Sequence, residues 1–143
     1  MAVSTIADIH KIEAVPLAQR DLPASTYAAI KRTAVRLPDA PALSFFLDAK
    51  HFGEKHVWTY AELLADITRA ANVFHDLGIG SGDVVAFVLP NLPETHFTIW
   101  GGEAAGIVMA INPMLDGSQI VELLQAAKAK LVVTMAPSPD NDL

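Results

Sequence analysis

Residues 78–113 decide the fold of this chain, and they read GIGSGDVVAFVLPNLPETHFTIWGGEAAGIVMAINP. The continuous apolar run at 84–89 predicts a strand that is buried on both faces. Pro93 suits the first position of a helix, which we expect to end at Gly106 before a second apolar strand at 107–111. This order predicts a β-α-β unit, and parallel sheets bind ligands beyond the carboxyl ends of their strands.

Upstream of this stretch the sequence predicts a helix and a hairpin. Ser25 or Thr26 is a suitable N-cap for a helix that stops before Pro38, because the residue before a proline disfavours helical geometry. Two short apolar runs, 42–47 and 56–58, flank a polar, glycine-containing turn. We expect them to pair as a hairpin at the periphery of the sheet.

A capping box opens the longest predicted helix. In this box, Thr59 and Glu62 each accept a hydrogen bond from an N–H group that the helix leaves free. The apolar ladder that follows runs to Gly78, which suits the left-handed conformation after a helix. The pattern then repeats downstream, with a helix predicted over 116–127 and a strand over 131–134.

The predicted fold class is α/β, with a β-α-β-α-β parallel sheet layer, flanking helices, a peripheral hairpin and right-handed crossovers. Residues 1–22 show no clear periodicity, so we expect an arm whose apolar residues need a partner surface to become ordered. We assign residues 23–136 to the α/β subdomain and residues 137–143 to a linker or a truncated end. The length of 143 residues suits one such domain.

The composition narrows the classes of function. The net charge of -6 argues against a nucleic-acid partner, because phosphate binding needs a basic surface. No apolar stretch has the length of a membrane helix, and no signal peptide is apparent, so we expect a cytoplasmic protein without a transmembrane segment. The chain has no cysteine, which excludes a disulfide framework, a thiolate nucleophile and a zinc site built on sulfur within these residues. Its 52% apolar and 18% charged residues suggest the opening segment of a larger protein whose other parts cover its apolar faces.

The glycine-rich and histidine-containing segments do not predict a cofactor site. The glycines at 78, 80 and 82 follow a predicted helix and precede a strand, the reverse of a phosphate-binding loop. The five histidines lack the spacing of a metal site. We therefore assign no catalytic, cofactor-binding or metal-binding residue.

Three residues near the carboxyl ends of the predicted strands are candidates for a substrate pocket: His96, Trp100 and Asn112. Position is the argument for all three. The structural alternatives are a surface histidine, a core tryptophan, and an asparagine that hydrogen-bonds backbone at a strand end.

Four segments together resemble the beginning of the AMP-forming acyl-CoA synthetases in the adenylate-forming superfamily. They are W-T-Y-A-E-L at 58–63, G-I-G-S-G-D-V-V-A-F-V-L-P-N at 78–91, A-A-G-I-V-M-A-I-N-P at 104–113 and A-K-L-V-V-T at 129–134. The resemblance covers residues 25–135 and implies the first subdomain of an adenylate-forming enzyme.

The resemblance implies that the parent enzyme uses ATP, Mg²⁺ and CoA to convert a carboxylic acid into an acyl-adenylate and then a thioester. The family's phosphate loop with Pro-Lys-Gly does not occur in these 143 residues, and Met114 stands where some relatives carry a basic residue near CoA. We therefore expect the chain alone to be inactive and to bind none of these cofactors. Two alternatives are a free-standing α/β domain that binds a nucleotide or an acyl ligand, and a non-catalytic interaction module whose exposed apolar faces self-associate.

Overall fold

The computed structural model describes residues 3–136. In chain order its main elements are α1 (Ile6–Glu13), α2 (Thr26–Arg36), β1 (Pro41–Phe45), β2 (His56–Thr59), α3 (Tyr60–Asp76), β3 (Val84–Val88), α4 (Pro93–Ala105), β4 (Ile107–Ala110), α5 (Gly117–Ala126) and β5 (Ala129–Thr134). Strand β3 lies between β4 and β5 and runs parallel to both. The predicted β-α-β-α-β parallel sheet is confirmed, and the predicted tail at 137–143 falls outside the described residues.

The central strand β3 is buried on both faces. Successive residues of a strand point to opposite sides, so Val85 faces one layer and Ala86 faces the other. Val85 packs with Phe74 of α3 and Ala105 of α4. Ala86 belongs to the opposite cluster, which α5 covers through Ile120 and Leu124. The continuous apolar sequence of β3 is therefore a consequence of helices on both faces.

The hairpin forms a separate sheet. Strands β1 and β2 pair antiparallel, with Leu43 opposite Trp58, and pack against α3. The turn between them holds a 3₁₀ helix, Ala49–Glu54, capped by Asp48, whose side chain accepts from the N–H groups of the next turn. The indole of Trp58 donates to Asp66 of α3 at 3.1 Å, which fixes the hairpin to the helix layer.

The structure contains the local features from which the helix boundaries were predicted. Thr59 and Glu62 form the expected capping box at the start of α3. After α3 the chain turns at Gly78, whose φ of 82° is a left-handed conformation that glycine adopts without strain. Pro93 is the first residue of α4.

The amino-terminal arm contains a helix that the sequence analysis did not predict. This helix, α1, is opened by a capping box between Thr5 and Asp8. The Arg20 guanidinium donates hydrogen bonds to two carbonyl oxygens, that of Ile12 within this helix and that of Val15 just beyond it. No residue of α1 is buried, so these local polar contacts, rather than packing, define its structure.

Helices α3 and α4 pack closely because α4 carries Gly101 at the contact. A methyl group added at Gly101 would lie 2.7 Å from Cβ of Ala70 and 2.9 Å from the carbonyl oxygen of Ile67. Backbone atoms on one side of that space cannot move away easily. The small residue therefore sets the distance between the two helices that cover one face of the sheet.

Among the described residues, no helix combines the length and the apolar character needed to cross a membrane.

We predict that Gly101→Ala lowers the free energy of unfolding by about 1–3 kcal/mol, because overpacking at the helix contact outweighs the higher helix propensity of alanine. Denaturant unfolding followed by circular dichroism measures this change. Gly117→Ala is the matched control, since nothing lies within 4 Å of its added methyl group. Equal stability of the Gly101 variant and the wild type would contradict the close packing described here.

Candidate functional site

The carboxyl edge of the parallel sheet contains an open cavity of about 620 Å³. We call it the carboxyl-edge cavity. Its walls come from β1, from the segment after β3, from the first turn of α4 and from the end of β5. The lining residues are Phe45, Leu89, Leu92, Pro93, Glu94, Val133, Thr134, Met135 and Ala136.

The strand order explains why the cavity lies there. The crossover through α4 leads from β3 to β4 on one side, and the crossover through α5 leads to β5 on the other side. The connections therefore diverge between β3 and β5, which is the topological switch point of the sheet. Open α/β sheets bind ligands at such points.

The lining is mostly apolar. Phe45, Leu92 and Val133 contribute hydrocarbon surface, whereas Glu94 supplies a carboxylate and Thr134 a hydroxyl. No pairing of a nucleophile with a general base is present among these residues. The cavity can therefore hold an apolar group, but its described walls carry no catalytic machinery.

The loop between β3 and α4 uses its own polar groups internally. The hydroxyl of Thr95, which is buried, donates to the carbonyl oxygen of Pro90 at 2.6 Å. The N–H of Leu92 donates to the same hydroxyl oxygen at 3.4 Å. Pro93 has no N–H, and Glu94 places an acidic side chain in the first turn of α4. These features disfavour phosphate binding at this helix terminus.

The predicted candidates His96 and Trp100 lie together on α4. Their rings stack with centroids 5.3 Å apart and an interplanar angle of 29°, and both side chains are half-buried. Neither residue is among those that line the carboxyl-edge cavity. Their assignment to a substrate pocket stays a prediction.

Asn112 lies in the exposed turn after β4. Its side-chain oxygen accepts a hydrogen bond from the N–H of Met114 at 3.0 Å, an arrangement that stabilises a turn. Asn112 also lies outside the walls of the carboxyl-edge cavity. Its role in substrate binding likewise stays a prediction.

The glycine-rich turn lies at the opposite, amino edge of the sheet, where a carboxylate occupies its polar groups. The Asp83 carboxylate accepts a hydrogen bond from the N–H of Gly80 at 2.9 Å. It also forms an ion pair with the Lys130 ammonium at 2.7 Å. The Lys130 ammonium also donates to the carbonyl oxygen of Gly78 at 2.6 Å. The hydrogen bond from Lys130, followed by that from Gly80, lowers the pKa of Asp83 below its usual value. These contacts therefore hold α3, β3 and β5 together at the glycine-rich turn.

Within residues 3–136, no group of three or more histidine, cysteine, aspartate or glutamate side chains could hold a metal ion.

Sequence reasoning missed most of the cavity lining. It identified the segment after β3 but not Phe45 or the end of β5, because the sequence does not state that β5 is the direct neighbour of β3. The sequence feature that could have indicated part of this lining is the mostly apolar end of the last strand, Val133 to Ala136. In a parallel sheet this end lies at the carboxyl edge, where the cavity is.

Comparison with protein families finds a family model described as AMP-binding enzyme that matches residues 30–143. Marinolic acid–CoA ligase of Pseudoalteromonas sp. is 35% identical over 142 residues, which are 99% of this chain and 22% of that protein. Crotonobetaine/carnitine–CoA ligase of Salmonella arizonae is 41% identical over 86 residues, 59% of this chain and 17% of that protein. The chain thus spans about a fifth of the length of these curated relatives.

Solved structures share the fold. The N-terminal subdomain of Klebsiella oxytoca NpsA, in complex with anthranilyl-AMSN, superposes with a TM-score of 0.68 at 23% identity, covering 80% of this chain and 28% of that one. The fatty acyl CoA synthetase of Mycobacterium tuberculosis has a TM-score of 0.64 at 27% identity, covering 78% and 21%.

We predict that acid destabilises the wild-type chain partly through Asp83. Because the folded-state pKa of Asp83 is lowered, its carboxylate contributes stability above the unfolded pKa of about 3.9, and that contribution is lost as the pH falls through the lower folded value. Asp83→Asn should therefore show a smaller loss of unfolding free energy than the wild type between about pH 6 and pH 2. Denaturant unfolding at each pH measures the loss.

The control for this pH series is Asp39→Asn, because Asp39 is exposed and makes no side-chain hydrogen bond or ion pair within the described part of the chain. It should keep the wild-type difference between the two pH values. If Asp83→Asn also kept the full wild-type loss of unfolding free energy, the stabilising role of Asp83 at the glycine-rich turn would be refuted.

Proposed function

The chain belongs to the AMP-binding enzyme family, and from this membership we propose that it is the amino-terminal α/β part of an acyl-CoA synthetase, an acid–thiol ligase. The observation that carries the proposal is the match of nearly the whole chain, at 35% identity, to the marinolic acid–CoA ligase of Pseudoalteromonas sp.. The second relative is also named as a CoA ligase, one for crotonobetaine and carnitine. The two names share the class of reaction but not the acid.

The proposed reaction of the parent enzyme joins a carboxylic acid to CoA at the expense of ATP, releasing AMP and pyrophosphate. Adenylation exchanges a poor leaving group on the carboxyl carbon for a good one, and Mg²⁺ would offset charge on the phosphates during the transfer. We propose that the parent uses all three of these cofactors and acts in the cytoplasm. The absence of cysteine is consistent with a reducing compartment.

The residues of this segment do not fit the triphosphate of ATP, and within residues 3–136 no group of three or more histidine, cysteine, aspartate or glutamate side chains could hold its metal ion. The first turn of α4 lacks one N–H at Pro93 and carries the carboxylate of Glu94, both unfavourable for a triphosphate. At the amino edge, Asp83 already occupies the N–H of Gly80 and the ammonium of Lys130. We therefore route no chemical step through these residues, and we propose that the chain supplies the scaffold beside a site that other parts of the parent complete.

We retain His96, Trp100 and Asn112 as the proposed substrate contacts of this segment. The stacked pair of His96 and Trp100 supports this for a flat or apolar group, because aromatic rings offer a rigid contact surface. We also propose the division into an arm at 1–22, a subdomain at 23–136 and a linker at 137–143.

A second candidate function is a free-standing domain that binds an apolar ligand. The observation that favours it is the carboxyl-edge cavity, which lies at the switch point and has a mostly apolar lining. Under this hypothesis the 143 residues bind an acyl ligand or a nucleotide without the remainder of the enzyme. A third candidate, an interaction module, would self-associate through exposed apolar residues such as Val35 and Leu47.

We predict that the 143-residue chain releases no pyrophosphate from ATP in the presence of CoA and a panel of fatty, aromatic and trimethylammonium carboxylic acids. The longer polypeptide encoded by the same gene should release AMP and pyrophosphate and form the thioester with at least one acid. A coupled pyrophosphate assay and mass spectrometry of the thioester measure the two events. Pyrophosphate release by the 143 residues alone would refute the scaffold assignment.

Calorimetry on the same chain separates the other candidates. Tight binding of ATP or an acyl-CoA by the chain alone would favour the free-standing domain. Light scattering that shows a defined oligomer would favour the interaction module.

A further inference from the structure

The connection between β1 and β2 is longer than a hairpin requires. Hairpin strands are usually joined by about two to five residues, whereas residues 46–55 join these two strands. The additional residues do not extend the core, because every residue of 46–55 is exposed. Compact loops of this length whose ends lie close together are frequently functional. We call residues 46–55 the hairpin loop.

The hairpin loop presents large apolar side chains to solvent. Leu47 is 79% exposed, Phe52 is 59% exposed and Phe46 is 41% exposed. The rings of Phe46 and Phe52 meet edge to face, with centroids 5.6 Å apart, which joins the beginning of the loop to its end. Several large apolar side chains on one ordered loop, unlike a single exposed residue, mark an interaction surface.

The carboxylate at the start of the loop is used within the loop itself. Asp48 accepts hydrogen bonds from the N–H of Lys50 at 2.8 Å and from the N–H of His51 at 3.2 Å. It also lies 2.8 Å from Nδ1 of the His51 ring. These contacts fix the 3₁₀ turn that carries Phe52, and they leave the Asp48 carboxylate engaged with its own loop.

The lysines of the hairpin loop lie beside its apolar side chains. The Lys55 ammonium is 5.1 Å from the centroid of the Phe52 ring. Within the described residues, neither Lys50 nor Lys55 forms an ion pair. The remaining carboxylate of the loop is Glu54. The loop therefore offers two ammonium groups against one such carboxylate, in a chain whose net charge is -6.

We propose that the hairpin loop is an attachment site for an anionic lipid surface. Leu47 and Phe52 enter the boundary between headgroups and acyl chains, as apolar side chains of interfacial anchors do. Lys50 and Lys55 lie at the level of the headgroup phosphates, because a lysine stem can follow apolar surface while its ammonium stays in water. The attachment is peripheral and does not depend on the ligase activity.

The shape and charge of the loop favour a lipid surface over a protein partner. Every residue of the loop is exposed, so it forms a protrusion rather than a groove that would hold a helix or an extended peptide. A fluid lipid interface adapts to a protrusion and needs no groove. The acidic remainder of the chain opposes the attachment only weakly, because charge interactions are screened over about 8 Å at physiological ionic strength.

The test is co-sedimentation of the complete polypeptide that the gene encodes with vesicles of phosphatidylcholine and phosphatidylglycerol, and with vesicles of phosphatidylcholine alone. The wild type should bind the mixed vesicles more strongly, and salt should weaken that binding. Leu47→Gln should lower binding to both kinds of vesicle. Val35→Gln on α2 is the matched control, since Val35 is 78% exposed and lies outside the loop. Absence of wild-type binding, or equal binding of Leu47→Gln and the wild type, would overturn the proposal.

The lysines have a separate expectation. Lys50→Gln and Lys55→Gln should each lower binding to the mixed vesicles by about fivefold and leave binding to phosphatidylcholine alone unchanged. Lys31→Gln is the control, because Lys31 is exposed on α2 and forms no ion pair within the described residues. If both loop variants bound the mixed vesicles as the wild type does, the anionic surface would be the wrong partner.

A fluorophore on the loop gives a second readout. The 143-residue chain has no cysteine, so Leu47→Cys supplies a single attachment point for an environment-sensitive dye. Its emission should shift to the blue when mixed vesicles are added, whereas the dye attached through Val35→Cys should not respond. Vesicle binding without a shift at position 47 would place the contact elsewhere and overturn the proposal.

The outcomes separate this proposal from the ligase activity. A polypeptide that forms the thioester but binds no vesicle leaves the ligase proposal intact and overturns the lipid attachment. A polypeptide that binds mixed vesicles through Leu47 but forms no thioester with any acid does the opposite. A dimer in light scattering that Leu47→Gln dissociates, without vesicle binding, would assign the hairpin loop to a second copy and overturn the proposal.

Discussion

The burial of strand β3 on both faces is the constraint on which the rest of the structure depends. Val85 and Ala86 point in opposite directions, and neither is exposed to solvent. A strand of this kind needs a cover on each side, which α3 and α4 supply on one face and α5 on the other. It also needs a neighbour along each edge, and parallel neighbours require crossover helices. The sequence of β3 thus demands the layers around it.

The same constraint separates the two ends of the sheet. At the amino end, Asp83 and Lys130 close the turn that follows α3, so the polar groups there serve the fold. At the carboxyl end the connections diverge, and an apolar cavity remains between β3 and β5. The part of the chain that could contact a substrate is therefore at the end where the helices begin, which agrees with the general behaviour of α/β sheets. The acidic first turn of α4 makes this end unsuitable for a triphosphate.

Local chemistry made much of the fold predictable. The capping box of Thr59, the left-handed Gly78 and the first-turn Pro93 each act within a few residues of their own position, so a single sequence contains the whole signal. The capping box of Thr5 carried the same kind of signal for α1, although the surrounding residues did not suggest a helix. Identifying the family also needed no structure, because four separate segments occur in the right order.

Features that depend on long-range pairing were not predictable in the same way. The sequence contains no statement that β5 lies beside β3 rather than beside β4, and for that reason Val133 and Phe45 were not expected to share a cavity. The stacking of His96 on Trp100 follows from their spacing of four residues, but spacing does not say which side of the sheet's edge they face. Each of these facts is a property of the packed layers.

The most direct test of the account is the neighbour relation of β3 in solution, measured by nuclear Overhauser contacts between backbone protons. The account predicts contacts from Phe87 to both Ala110 of β4 and Val133 of β5, with no backbone contact between β4 and β5. Backbone contacts that join β4 directly to β5 would contradict it, because they would remove the switch point and the carboxyl-edge cavity with it.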